Sequence, residues 1–347
     1  FSNISTNGCL VPAIKMDGAA FLHPFFGKSV ILCAILGILE VCKMKTIQLK
    51  PSCKDYLWGG EKLRTEYGIQ SEMHPLSEAW MLSCHPDGPS YLPDGTTLQQ
   101  YIDAHPGCLG TDCVKFEEFP ILAKLIDAKK DLSIQVHPSN AYALEHEHQY
   151  GKTEMWYVLE AEPGATLYYG FTHEISKEEF EHRIKDNTLT EVLNAVPVKK
   201  GDCLFIPSGT LHAIRKGIVV AEIQQNSNVT YRIYDYGRKG ADGKPRQLHI
   251  PQALDVTERK PPVAHDFHGH LAQCDYFTVD AVEGSFKDIC DDVSFTSLLI
   301  LEGEGTLTET ATGESLPIQK GESFFIPAGT GEYTVSGTDL KCLRTRV

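Results

Sequence analysis

Three short stretches of the chain carry side chains that could hold a metal ion: SIQVHP, GKTEMWY and SGTLHAI. In the first, Gln135 and His137 stand two apart. Alternation along DLSIQVH puts Leu132, Ile134 and Val136 on one side and Ser133, Gln135 and His137 on the other. Glu154 opens the apolar, aromatic run MWYVLE, and His212 opens the segment that follows a Gly-Thr turn. Two imidazoles, one carboxylate and a further amide make a mixed nitrogen and oxygen set. Such a set suits Zn²⁺ and leaves a position for water or substrate. Mn, Fe, Co or Ni could use the same ligands, because ligand type alone does not select among them. A lone histidine is more often a satisfied core or surface residue; it is the ordered set that points to a metal.

A rival set lies nearby. EHEHQ offers His146 and His148, with Glu154 downstream. AYALEHEHQYG has no strand alternation and reads as helix or loop. On a helix, residues two apart lie about 200° apart around the axis, so both histidines are expected to be solvated surface groups.

The elements that must position these residues are mostly short strands. From Met44 onward, MWYVLE, CLFIP, HAIRKGIVVAEIQQ and TYRIYDY read as strands, as do FTVDAVEG and SFTSLLILEGEGTLTE further on. FPILAKLIDAKK (119–130) has helical or mixed spacing. Residues 176–195 read as two short helices: SKEEFEHRIKDN, with Ser176 as N-cap and Glu179 completing a capping box, then TLTEVLNAV. RKGADGKPRQ (238–247) is a turn-rich basic loop, Pro251 sits near a helix start, and ERKPPV (258–263) reads as a linker.

One phrase is written twice. KGDCLFIPSGTLHAI begins at Lys200 and KGESFFIPAGTGEYT at Lys320; Gly201, Phe205, Ile206, Pro207, Gly209 and Thr210 recur at an offset of 120 residues. VLEAEPGATL and ILEGEGTL precede the two copies in turn. The simplest account is two copies of one β-barrel unit, the first enlarged by a helical insertion. Glu332 stands where the first copy has His212, Thr296 or a near neighbour stands where Glu154 falls, and no Gln-x-His strand precedes the second copy. The second unit is therefore expected to lack the metal.

The bulk numbers set limits. A chain of 347 residues has room for one large or two ordinary domains. A formal net charge of −14 disfavours general binding to nucleic acid or an anionic membrane, so an anionic substrate needs a local cluster of Lys and Arg. Eleven cysteines, an odd number with no C-x-x-C pair, read as reduced thiols of a cytoplasmic protein. Near the N-terminus, FFGKSVILCAILGILEVCK has an apolar core from Val30 to Leu39, shorter than the roughly 20 residues a span needs. MKTIQLKPSCKDYLWGG, from Met44, reads as a natural start. Residues 1–43 are accordingly read as an extension outside the fold, with a membrane-associated leader as the rival reading.

LSIQVHP, GKTEMWYVLE, PSGTLHAI and TYRIYDYGR resemble the type I phosphomannose isomerases in their short bacterial form. DYLWGG (55–60) and SEAWMLSCHPDGPS (77–90) resemble the same family's N-terminal signatures, and the likeness runs from Met44 to the C-terminus. The resemblance implies a mainly β fold of two cupin (double-stranded β-helix, or jelly-roll) barrels, with helical insertions in and around the first. It divides the chain into a metal-binding domain at 44–258, with an insertion at about 171–195, and a metal-free domain at 259–347. It implies metal-dependent interconversion of mannose 6-phosphate and fructose 6-phosphate. His137, Glu154 and His212 would hold one divalent ion per chain, Zn²⁺ foremost, with Gln135 as a further ligand. Arg232 and Lys152 would serve catalysis and substrate binding. Arg232 is suited to stabilising phosphate or the intermediate, because guanidinium does not readily deprotonate, and Lys152 is a candidate for moving the proton. Arg215, Lys216, Arg238 and Lys239 are read as solvated surface.

The expected partner is a small sugar phosphate, with no nucleic acid or membrane, and the protein is expected to be a monomer or weak homodimer. Two other classes remain open at this stage: a non-catalytic sugar-binding or regulatory cupin, and a cupin oxygenase that would need His146 and His148. The two ligand sets separate by mutation. His137→Ala is expected to abolish stoichiometric metal binding and His146→Ala to leave it intact, measured by elemental analysis of purified protein; the reverse outcome places the metal at the rival site.

Overall fold

The computed structural model describes residues 44–239 and 243–347. The readings made for residues 1–43, and for the tip of the RKGADGKPRQ loop, lie outside the described residues.

Three antiparallel sheets organise the described residues, and the fold is mainly β. A six-stranded sheet runs in the order Ser52–Lys54, Glu78–Leu82, Ile121–Ala128, Ile218–Gln225, Glu154–Ala161, Cys203–Ile206. A five-stranded sheet runs Tyr231–Tyr234, Ile134–Val136, His212–Ile214, Thr166–Phe171, Leu193–Pro197. The third sheet has eight strands. Its main path is Ile47–Leu49, Ser323–Ile326, Thr296–Glu309, Gly331–Arg346, Thr278–Glu283, Ala272–Gln273, with Phe286–Cys290 and Ser315–Gln319 paired at the side. Ile47–Leu49 pairs with Ser323–Ile326, so the start of the described chain completes a sheet built from its end.

Alternation assigns each face of the six-stranded sheet to its own core. Ile126, Trp156, Val158, Val220 and Leu204 pack with Leu167 and Ile214 of the five-stranded sheet. Their neighbours Leu125, Met155, Tyr157, Leu159, Val219 and Ala221 pack on Leu299, Phe325 and Leu343 of the eight-stranded sheet and on Phe295, just before its strand Thr296–Glu309. The outer face of the five-stranded sheet is covered by helices: Ile134, Val136, Ala213 and Ile233 meet Phe180 of helix Lys177–Lys185 and Ala253 of helix Ile250–Val256.

This double burial explains where pattern reading failed. FPILAKLIDAKK is no helix: Ile121–Ala128 is a strand with all eight residues buried. A strand covered on both faces loses the period-two signal and reads as a continuous apolar run. TLTEVLNAV is no second helix either. It forms one 3₁₀ turn, Leu189–Glu191, then strand Leu193–Pro197 on the edge of the five-stranded sheet. Ser176 caps its helix by accepting the Glu179 N–H at 3.1 Å, but the Glu179 carboxylate takes the Arg183 Nε–H at 2.9 Å. Leu132 departs from the alternation because the strand begins only at Ile134; it joins the core between the two sheets.

The repeated phrase keeps its backbone. Gly201 and Gly321 have φ of 91° and 86°, and Gly209 and Gly329 have 86° and 81°. Register agrees as well: Glu154 pairs with Ile206, and Thr296 pairs with Ile326. After the second Gly-Thr turn the copies diverge by one residue. Glu332 is exposed, and Tyr333 turns inward to join Leu298, Ile300, Phe324 and Val335. A one-residue slip sends every following side chain to the opposite face.

The two Lys-Gly turns differ in the space around them. A Cβ on Gly201 would meet only the Tyr157 hydroxyl at 3.9 Å, whereas one on Gly321 would meet the Tyr67 carbonyl oxygen at 1.9 Å. Gly201→Ala is therefore expected to cost about 1–2 kcal/mol from left-handed backbone strain alone. Gly321→Ala should cost clearly more, because backbone must move. Equilibrium urea unfolding of both variants measures the difference, and equal losses would contradict it.

Candidate metal centre and cavity

The inner face of the six-stranded sheet carries polar side chains where a core would ordinarily be apolar. Glu78, Lys124, Glu154 and Glu222 are all buried there, and Trp80 and Trp156 lie two residues after Glu78 and Glu154. Opposite them, the five-stranded sheet presents Gln135 and His212, whose Cα atoms are paired across the sheet.

His137, Glu154 and His212 come together with one ligand atom from each, all within 4.8 Å of one another, and all three are buried. Both imidazoles are fixed by backbone. His137 Nδ1 lies 2.8 Å from the Val229 carbonyl oxygen and His212 Nδ1 lies 2.8 Å from that of Thr210. A carbonyl only accepts, so each Nδ1 carries the proton and each Nε2 presents a lone pair. Those lone pairs face a carboxylate: His212 Nε2 is 3.4 Å from Glu154 Oε1, and His137 Nε2 is 3.7 Å from Glu154 Oε2. Glu154 Oε1 is buried with no hydrogen-bond partner. Acceptors converging on acceptors call for a cation between them, and two imidazoles with a carboxylate are a donor set that fits a divalent metal. The Gln135 side-chain amide lies 3.5 Å from His212 Nε2, within reach of the same centre.

Electrostatics agree. Burial, and then the Lys152 charge, lower the pKa of His212 to about 4 and hold His137 well below the ordinary imidazole value, so both are neutral at pH 7, the form a metal ligand requires. Burial, with Glu222 nearby, raises Glu154 to about 7. Its negative charge is therefore costly unless a cation joins it.

Lys152 bridges this centre to a chain of alternating charges. Its ammonium donates to Glu154 Oε2 and lies 3.2 Å from His137 Nε2 and 3.5 Å from Glu222 Oε1. Lys124 Nζ stands 3.3 Å from Glu222 Oε1 and 3.9 Å from Glu78 Oε2. Trp156 and Trp80 donate their indole N–H groups to Glu222 and Glu78, each at 2.8 Å. Burial alone would raise Glu222, but Lys152 and Lys124 outweigh it and hold it at about 2.

A cavity of about 300 Å³ opens onto this chain. The six-stranded sheet contributes Glu222, Glu78 and Lys124 to its lining, with Lys152 beside them; the five-stranded sheet contributes Arg232, with Ser133, Arg246 and His249 from adjoining loops. Arg232 comes from strand Tyr231–Tyr234, where it pairs with Gln135 and donates from Nε to Ser133 Oγ at 3.2 Å. Arg246 is held by a forked pair of bonds to Asp235, Nε and Nη2 each at 2.6 Å. Arg215, Lys216 and Arg238 are absent from the lining; Arg238 bonds Asp235 and the Asp131 carbonyl. His146 and His148 are exposed beside the end of helix Asn140–His146, away from any ligand cluster among the described residues.

Glu78, Lys124, Glu222, Arg246 and His249 escaped the sequence reading. A signal existed for the first three, namely ionisable residues inside apolar strand runs: SEAW, ILAKLIDA and VVAEIQQ. Arg246 lay in the basic loop RKGADGKPRQ, but its spacing tied it to no site, and His249 offered no signal, because only tertiary packing brings them to the cavity.

Buried ligands of this kind on paired antiparallel sheets define a metal-binding β protein of the cupin class. The chain matches the model for the phosphomannose isomerase type I catalytic domain over residues 46–164 and that for the mannose-6-phosphate isomerase cupin domain over residues 268–347. It is 39% identical over 303 residues to the mannose-6-phosphate isomerase of Streptococcus mutans, covering 83% of this chain and 93% of that one. The crystal structure of the mannose 6-phosphate isomerase from Bacillus subtilis superposes with a TM-score of 0.79 at 34% identity, covering 88% of this chain and all (100%) of that one. A zinc-bound mannose 6-phosphate isomerase shares the fold at a TM-score of 0.70 and 18% identity, over 87% and 99% of the two chains. The chain belongs to the type I phosphomannose isomerase family.

Asp235 gives this site a pH dependence. Burial raises its pKa, but the Arg246 and Arg238 contacts outweigh burial and hold it below the ordinary carboxylate value. The folded value is depressed, so its contribution to stability is complete above the unfolded value of about 3.9 and is lost as pH falls through the folded value. Asp235→Asn is expected to be less stable than the parent at pH 7 and to converge with it in acid, by thermal unfolding across pH. A gap that stays constant with pH would contradict this.

Proposed function

We propose that the protein is a metal-dependent mannose-6-phosphate isomerase, interconverting mannose 6-phosphate and fructose 6-phosphate. The observation that carries the reading is the join of the His137–Glu154–His212 cluster, through Lys152, to a cavity lined by carboxylates and ammonium groups and by two arginines. An aldose–ketose isomerase needs both: acid–base groups at C1 and C2, and cations for the phosphate. Family membership supports the same reaction.

In this reading, His137, Glu154 and His212, with Gln135 beside them, would hold one divalent ion. Zinc is favoured because the ligand set is of the zinc type and a relative of the same fold is described as zinc-bound. Such an ion would supply Lewis-acid polarisation of the sugar's oxygens and stabilise negative charge developing there. Lys152 and Glu222, 3.5 Å apart, handle the proton: it leaves C2 of the aldose, giving an enediol-type intermediate, and is returned to C1. Glu222 is ionised and can accept a proton, while the Lys152 ammonium can donate one to oxygen. Arg232 and Arg246 stabilise the phosphate end, where their permanent charge is an asset.

The domain reading follows from the repeat. Residues 44–258 form the metal-binding cupin barrel and 259–347 a second barrel without metal, its interior filled by Leu298, Ile300, Phe324, Tyr333 and Val335. The first segment lends strand Ile47–Leu49 to the second. The eight described cysteines are free thiols, which supports a cytoplasmic enzyme, and no described helix is long and apolar enough to cross a membrane. We further propose a monomer or weak homodimer.

Conversion of mannose 6-phosphate, followed by isomerising the fructose 6-phosphate formed to glucose 6-phosphate and oxidising that with reduction of a nicotinamide coenzyme, is expected in the parent. It should disappear on chelation and return on adding Zn²⁺. His212→Ala should lose both metal and turnover, and Lys152→Ala should lose turnover by about 100-fold or more. Turnover that survives chelation and His212→Ala would refute the assignment.

A further inference from the structure

Arg232 stands on strand Tyr231–Tyr234, which is an edge of the five-stranded sheet. An edge strand leaves alternate N–H and C=O groups without a ladder partner. At Arg232 both outward groups are met by one residue. The His249 N–H donates to the Arg232 carbonyl at 2.8 Å, and the Arg232 N–H donates to His249 Nδ1 at 3.2 Å. The imidazole nitrogen takes the place of the carbonyl that a neighbouring strand would supply, so one residue imitates a paired strand.

The clamp sits where the ladder is weakest. Register with Ile134–Val136 shifts between Arg232 and Tyr234, so pairing on the other side is interrupted beside Arg232. His249 is itself anchored. It immediately precedes helix Ile250–Val256, whose Ala253 packs in the same core as Tyr231 and Ile233. The ring also lines the cavity next to Arg232 and Arg246.

We infer that His249 is a positioning residue for Arg232: its Nδ1 lone pair and its backbone N–H fix the edge strand so that the guanidinium is aimed into the cavity. This rests on the proposed isomerase reading for its kinetic consequence, though not for its geometry. The clamp requires the neutral tautomer with the proton on Nε2, because a protonated ring has no acceptor. Burial, and then the neighbouring Arg232 charge, favour the neutral ring.

Two near-isosteric replacements divide the ring. Asparagine can place an oxygen near Nδ1, whereas glutamine can place its amide near Nε2 and offers no acceptor at Nδ1. His249→Asn is expected to keep kcat for mannose 6-phosphate within about threefold of the parent, while His249→Gln and His249→Ala lose about tenfold or more. In an Arg232→Ala background the three replacements should no longer differ in kcat. Metal content and thermal midpoint, measured alongside, show that each variant is folded and loaded.

A readout independent of turnover comes from long-range ¹H–¹⁵N spectra of the parent at neutral pH. The His249 resonances, assigned by their loss in His249→Asn, should show Nδ1 unprotonated and Nε2 protonated. Glutamine matching the parent, asparagine falling with alanine, effects that persist unchanged without Arg232, or a ring protonated at Nδ1 would each overturn the assignment. If the parent spectrum shows the expected tautomer but the parent does not turn over mannose 6-phosphate, the isomerase reading fails and the clamp stands.

Discussion

Five ionisable groups buried on one side of a sheet set the terms for the rest of the molecule. Glu78, Lys124, Lys152, Glu154 and Glu222 are all withdrawn from water. Removing one partner from a buried ion pair typically costs about 3–5 kcal/mol, because the other charge is left uncompensated. Here the charges alternate along the chain, and two tryptophan N–H groups satisfy remaining carboxylate lone pairs. The tally is still uneven, three carboxylates against two ammonium groups. The surplus negative charge sits next to two neutral imidazoles, and on the side of Glu154 Oε1 and His212 Nε2 no cation balances it, so the cluster could hold a metal ion.

The architecture meets that constraint through three layers. The six-stranded sheet is rigid because both its faces are packed, one against the eight-stranded sheet and the other against the five-stranded sheet. Side chains from such a strand have little freedom to move, which suits ligands that must hold a fixed geometry. The repeated phrase contributes the same turn to both halves, but the second copy slips by one residue and fills its interior with Tyr333 and aliphatic side chains. That half serves as a packing surface for the sheet that bears the site.

The arginine end of the cavity is built differently. Arg232 lies on an edge strand and Arg246 on a loop; His249 meets the backbone of the first, whose guanidinium bonds Ser133 and the Gln247 carbonyl, and Asp235 holds the second. The buried carboxylates and Lys124 are thus held by sheet packing, and the two arginines by local contacts.

Much of this was legible in the sequence. The types and order of Gln135, His137, Glu154 and His212 are local facts, and so is the doubled phrase with its glycines, since left-handed turns restrict the residues they admit. The helical reading of FPILAKLIDAKK failed because a strand buried on both faces carries no alternation. Glu78, Lys124 and Glu222 could have been suspected as charges inside apolar runs, but which of them meet Lys152 depends on strand order, and strand order is not a local property. Only the tertiary structure decided that His249 and Arg246 belong to the cavity. Their loop returns to the sheet edge because helix Ile250–Val256 packs on it, and contacts that depend on packing at a distance leave no spacing for the sequence to display.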